Sequence, residues 1–339
     1  MHHSSATLRL GAILVFASQA LAEEPLVWKW AEGDTTRYLM TQSMEMAMNA
    51  GPAGQINTTS ETATLMRWTV DSGPDESGAC RLRQGVERVV MQSVAPMGQG
   101  FNYDSDDGDP PAGMAALVAP MFEAMIENDF LATMLPNGKI TDVELSDELA
   151  QAFDRLPGGA MSSDMVKQMS QQGAMQFPNE PLVLNDHWTI TNEVQAPQMG
   201  PMKVATTYTY KGPRRVDGRR LEVFAPSIEM ESTGGEDQQF DVTIKTKSSD
   251  GEILFDAELG RLVSSKVSQE MDVIVKVGDR EIVNQIVQNI ELRSVAEDET
   301  PEMGIQASVE EGPAEEEPAA PASAGEVPAD ETLEPAAVE

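Results

Sequence analysis

At 339 residues the chain is long enough for one or two domains with a real core, and its 56 acidic against 23 basic residues leave a formal net charge of −33. Such a surface repels nucleic acid and anionic lipid, which excludes the common electrostatic partners. A lone cysteine, Cys80, excludes an intramolecular disulfide, so the fold must rest on packing.

The N-terminus reads as an export signal over residues 1–22. Arg9 precedes the apolar run Leu10–Ala17, and Ala20-Leu21-Ala22 supplies a small-x-small cleavage site before Glu23-Glu24. The run is too short to anchor in a membrane, and no later stretch of the sequence is long and apolar enough to span one.

The first strand is the plainest element. A turn at Glu32-Gly33-Asp34 leads into a segment in which Tyr38, Met40, Met44, Met46 and Met48 are apolar at even spacing. Side chains of a strand alternate between faces, so these share one face, interrupted by Gln42, while Thr41, Ser43, Glu45 and Ala47 share the other. A second strand is expected over Thr62–Val70, a turn at Gly73–Gly78 and a third strand from Cys80 to about Ser93, giving an antiparallel meander. Cys80 is expected to be buried and inert.

Acidic residues interrupt the pattern at Asp104–Asp109. Beyond Pro110-Pro111 the periodicity becomes helical: Met114, Leu117, Val118, Met121, Met125 and Ile126 share helical spacings, with Pro120 at a kink or helix start. Leu131–Val143 predicts a hairpin turning at Asn137-Gly138. Ser146 is a candidate N-cap for a helix carrying Leu149, Phe153 and Leu156, and Met161, Met165 and Met169 would form a stripe on another. From Pro181 the strands resume. Asn185-Asp186-His187-Trp188 echoes Glu32-Gly33-Asp34 with its aromatic neighbours, Val204–Tyr210 echoes Thr62–Val70, Asp217–Leu221 echoes the turn and strand around Gly78, and Ile253–Val263 resembles Leu131–Val143. The spacings between echoes differ, which leaves open either a loose duplication or shared strand-turn grammar. Two long strands, Ser264–Val277 and Glu281–Val295, join at Gly278-Asp279. Residues 296–339 hold 14 acids, six prolines and no aromatic residue, a composition expected to stay disordered.

No stretch marks a catalytic site. The mature chain keeps one histidine, His187, at a strand start with no nucleophile motif near it, so a structural role is expected. Asp104–Asp109 has oxygen ligands but lacks the calcium-loop pattern, with Gly108 and Ala115 where ligands would be required. Met44-x-Met46-x-Met48 has soft-metal spacing without His or Cys, and with 21 methionines against nine phenylalanines the methionine here reads as core filler. Neither metal nor cofactor is called for. The remaining candidate is an apolar cavity lined by Met40, Met44, Met46 and Met48, since methionine adapts to varied ligands.

Trp30-x-x-Gly33-Asp34, Pro136-Asn137-Gly138-Lys139, Asp186-x-Trp188 and the Gly251–Ser265 stretch resemble a group of exported, β-rich bacterial proteins of unknown function, over about residues 26–295. At the level of fold, a long antiparallel sheet with inserted helices is similar to the half-barrel of lipoprotein carriers, which hold acyl chains in an apolar cavity. The expected architecture is therefore α+β: a curved, largely antiparallel sheet, with a first meander over 23–111, a helical insertion with a hairpin over 112–180, and a second meander over 181–295. The expected role is that of an exported, periplasmic or extracellular, non-enzymatic envelope or binding protein, with an apolar small molecule or lipid as partner. The alternative is an extracytoplasmic hydrolase with an unmarked carboxylate site.

Overall fold

Alternating sequence becomes long strands. The computed structural model describes residues 24–49, 54–96, 100–108, 111–155, 162–196, 200–232, 241–277 and 280–304. In chain order these form β1 (Thr35–Asn49), β2 (Gln55–Ser72), β3 (Cys80–Val94), β4 (Phe101–Asp104), α1 (Ala115–Glu127), β5 (Phe130–Met134), β6 (Ile140–Glu144), α2 (Asp147–Asp154), α3 (Ser163–Gln172), β7 (His187–Ala196), β8 (Gly200–Val216), β9 (Arg219–Ser232), β10 (Asp241–Asp256), β11 (Arg261–Val277) and β12 (Arg280–Val295). The strands build one curved, open antiparallel sheet in the order β6-β5-β3-β2-β1-β12-β11-β10-β9-β8-β7, with β4 beside β3. The expected fold class is what is found. The expected hairpin of the helical insertion is β5–β6, and it joins the first meander as an edge of the same sheet. Both the export signal and the Gly278-Asp279 turn lie outside the described residues.

Helix ends follow their local chemistry. Ser146 Oγ accepts the Leu149 amide (3.1 Å), and α2 buries Leu149 and Phe153. Pro120 sits inside α1, and α3 begins after Ser162, whose Oγ accepts the Met165 amide (3.2 Å). The expected methionine stripe on α3 is not a buried one: Met169 is exposed, and Met161 lies outside the described residues. α3 packs against both β6 and β7, so the two sheet edges meet the same helix.

One face of the sheet, here the inner face, carries an aromatic core at the end where Trp28 threads between two turns. Trp28 N donates to Pro136 O (2.8 Å), Lys29 N to Gly260 O (3.1 Å) and Trp28 Nε1 to Met175 O (3.0 Å). Gly138 and Gly260 must be glycine here. Both have positive φ, and a Cβ would stand 2.5 Å from the Trp28 indole nitrogen or 2.4 Å from the Lys29 nitrogen. Trp28 shares one buried cluster with Tyr38, Leu82, Met134, Tyr210, Phe224 and Phe255, and Phe255 is edge-on to it at 5.3 Å.

The echoes in the sequence are one hydrogen-bond frame used twice. Gly33 (φ 83°) donates to Val70 O and Val70 N to Asp34 O; Asn185 (φ 72°) donates to Tyr210 O and Tyr210 N to Asp186 O. A bulge follows both Val70 and Tyr210. β3 then pairs Leu82 with Ala132 and Cys80 with Met134, as β9 pairs Phe224 with Ile253 and Glu222 with Phe255. Matching bulges come next, at Thr133/Met134 and Leu254/Phe255. Thus β1-β2-β3-β5-β6 and β7-β8-β9-β10-β11 repeat, and β12 joins them. The longer β1–β2 hairpin and the insertion of β4 and α1 between β3 and β5 hide the repeat from simple spacing.

The outer face carries a covered patch beside β1. Leu39, Ala63, Leu65 and Val295 pack there with Met303. Arg37 Nη1 donates to the carbonyls of Ala296 (3.3 Å), Glu297 (3.2 Å) and Glu299 (2.8 Å), while Arg293 pairs with Glu299 (3.0 Å). Residues 296–304, expected in the disordered tail, are therefore docked on the sheet; the rest of the tail lies outside the described residues.

Candidate functional site

β1 places Met40, Met44, Met46 and Met48 on the inner face, in the same row as Tyr38, because an antiparallel strand keeps a strict period of two. Met40 lies between Thr64 of β2 and Leu292 of β12, Met44 between Ser60 and Gln288, Met46 between Thr58 and Ile286, and Met48 between Ile56 and Asn284. All four are half-buried. They are neither sealed like Tyr38 nor open like Glu45 on the opposite face.

The face continues through residues that the sequence reading did not single out. β11 sets Gln269 against Gln288, Met271 against Ile286 and Val273 against Asn284. β10 follows with Ser249, Thr246 and Ile244 against those β11 residues. Val242, Ile244, Met271 and Val273 form a buried cluster, joined by Met202, Met230, Val275 and Ile286. The signal was available: β11 alternates Val267, Gln269, Met271, Val273, Val275, and β12 alternates Ile282, Ile286, Ile290. At the register of Met44 the face turns polar, with Ser249, Gln269, Gln288 and Ser60 in line across the strands. No residue in these rows carries a charge. α1 lies on the β3 side of the same face, where Ala115 and Ala119 pack on Val86 and Val89.

The sheet loosens between β9 and β10. Among the described residues the ladder pairs Phe224 with Ile253, Val223 with Leu254 and Glu222 with Phe255. Farther along, Ile228 N donates to Ser249 Oγ (2.8 Å) and Met230 N to Thr246 Oγ1 (3.2 Å). Side-chain hydroxyls splice the strands there, and a cleft of about 310 Å³ opens, lined by Ile228, Met230, Thr246 and Ser249 and by the charged Glu229, Glu231 and Lys247.

Other sequence candidates have structural surroundings. His187 is exposed at the start of β7, with Thr209 as its register partner. Arg88 forks onto Asp104 (3.0 and 2.7 Å) and reaches Asp106 (3.2 Å), and this hydrogen bonding holds the Asp104 carboxyl below its usual range. Among the described residues no cluster of His, Cys, Asp and Glu could hold a metal ion. Cys80 is buried, and burial pushes its thiol pKa up. Among the buried carboxylates, Glu222 accepts the Tyr210 hydroxyl, and Asp256 caps the amides of Glu258 (3.1 Å) and Leu259 (3.0 Å). On the outer face burial and Glu45 raise the Glu61 carboxyl.

A model of a family of unknown function, DUF6263, matches residues 78–260, which run from the turn before β3 to the turn after β10. The chain belongs to this family. In this DUF6263 member the matched residues take in both sheet edges and α1 to α3, while β1, β2, β11 and β12 lie outside the match. A comparison with curated proteins finds no match. Among solved structures, one concerning lipid–protein interactions in lipovitellin is similar over 80% of this chain and 27% of its own, at 10% identity and a TM-score of 0.42. The DUF6263 chain thus spans about a quarter of that protein's length. DynF from the dynemicin biosynthesis pathway of Micromonospora chersina is similar over 85% of this chain and 92% of its own, at 7% identity and a TM-score of 0.17. At these values neither likeness bears on function. Among the described residues no helix is long and apolar enough to cross a membrane.

Proposed function

We propose that this chain is an exported, non-enzymatic binding protein that holds an apolar ligand on the inner face of its sheet. One observation carries the reading. Met40, Met44, Met46 and Met48 present a half-buried thioether row on an open, curved sheet, continuous with the valines and isoleucines of β11 and β12. A finished core would seal such a row, and a solvent face would be polar. Unbranched methionines repack around ligands of different shape at small penalty. Export is supported by Arg9, the apolar run after it and Ala20-Leu21-Ala22.

The test is binding of an environment-sensitive apolar dye, with native mass spectrometry of the purified chain for co-purifying lipid. Met46→Leu should fold and bind, since the volumes are close. Met46→Glu should fold with a loss of about 1–2 kcal/mol, because a half-buried site leaves the carboxylate partly hydrated, and dye binding should fall at least about tenfold. No dye binding to the natural chain, together with unfolding of Met46→Glu, would reduce the row to ordinary core and overturn the reading.

A further inference from the structure

The polar line across the inner face has one member that the fold does not satisfy. Gln269 is 4% exposed, and its Nε2 has no hydrogen-bond partner. An amide nitrogen left so is costly, because it has given up its bonds to water and gained none in return. Its register partners are Ser249 and Gln288, and Ser249 already accepts the Ile228 amide. The next row holds Thr246, Met271, Ile286, Met46 and Thr58, and the one after it Ile244, Val273, Asn284, Met48 and Ile56, where Asn284 Oδ1 is a second buried polar atom without a partner. On the other side of the line the face descends toward the aromatic core through Ile253 and Leu292.

The geometry points to a ligand with an apolar chain and an uncharged hydrogen-bond acceptor, an ester or amide carbonyl, seated on Gln269 Nε2. This inference rests on the binding reading above and names the chemistry of its ligand. The acceptor must be present because Nε2 can only donate. It must be uncharged because the surrounding rows, from Ser249 and Val267 to Met48 and Ser60, hold no cation to offset a carboxylate, whose burial unpaired is prohibitive. The atom is sealed from water, so an acceptor reaches it by displacing side chains. The neighbours on the same face include Met44, Met46 and Met271, which move most easily. The cleft between β9 and β10 opens beside Ser249, next to Gln269 in the ladder, and supplies a route; Lys247, which also lines it with Glu229 and Glu231, is already paired with Glu270 and Asp272.

Three pyrene-labelled probes of equal chain length decide the matter: an acyl methyl ester, the alkane and the free fatty acid at pH 8. The natural chain should bind the ester about fivefold tighter than the alkane, the worth of one net hydrogen bond, and tighter than the acid. Gln269→Leu should melt higher than the natural chain, bind the alkane unchanged and lose the ester preference; Gln269→Met serves the same comparison if the leucine variant does not fold. If alkane and ester bind the natural chain equally, or the variants keep the preference, Gln269 does not seat the ligand, and the binding reading survives without it. If no probe binds the natural chain, the binding reading falls and this inference with it.

Discussion

Asp34 and Asp186 close the same turn in the two halves of the sheet. Asp34 Oδ2 accepts the Ala31 amide (2.9 Å) and Asp186 Oδ2 accepts the Val183 amide (2.7 Å), each behind a residue of positive φ. They differ in one respect. Asp34 also pairs with Arg261, whose guanidinium donates to Lys29 O (2.8 Å) and Thr36 Oγ1 (2.8 Å) and stacks 3.9 Å over the Trp30 ring. Asp186→Ala should therefore cost about 1.5 kcal/mol, one hydrogen bond to a charged group, and Asp34→Ala about 1 kcal/mol more. Urea unfolding of the two variants compares them directly; equal losses would mean that the Arg261 pairing is energetically idle.

Ending the chain after Gly304 should leave its melting temperature unchanged, whereas ending it after Val295 should not. The second cut strips Met303 from Leu39, Ala63 and Leu65 and leaves Arg37 without its three carbonyls. Burying one methionine is worth about 2 kcal/mol, which corresponds to roughly 3–4 °C in a chain of this size. Calorimetry of both truncations would settle it, and a chain ending at Val295 that melts like the full one would show the docked segment to be ornamental.

All four tyrosines resist ionisation. Burial is the leading cause at Tyr38, Tyr103, Tyr208 and Tyr210; Tyr208 is pushed up to about 12, and at Tyr210 the Glu222 carboxylate adds to the effect. A raised native pKa means stability that is intact below pH 10, where unfolded phenols ionise, and is lost progressively above it. Absorbance of tyrosinate should therefore show no step near pH 10 and then rise cooperatively with unfolding, followed in parallel by circular dichroism. A normal phenol titrating in the folded chain would contradict the burial of at least one of the four.

The acidic loop should not bind calcium tightly. Both oxygens of Asp104 are taken by Arg88, which also reaches Asp106. Titration calorimetry should give no heat at micromolar calcium. A micromolar site abolished by Asp106→Ala would show that the ion displaces Arg88.

Much of the architecture was legible locally. Period-two alternation put Met40, Met44, Met46 and Met48 on one face with Tyr38, because a strand's geometry allows nothing else. Gly33, Gly138, Asn185 and Gly218 marked turns because their positive φ is cheap only for such residues, and Ser146 marked a helix start because its hydroxyl replaces a missing carbonyl. Alternation tells a strand's face and not its neighbour. That β12 should lie against β1, setting Gln288 beside Met44 and Gln269 beyond it, follows from register across hundreds of residues of chain. The docking of Met303 and the bulges that align the two halves likewise arise only once distant segments are packed. Long-range pairing is chosen by the total burial it achieves, and that sum exists in the folded sheet rather than in any one stretch of sequence.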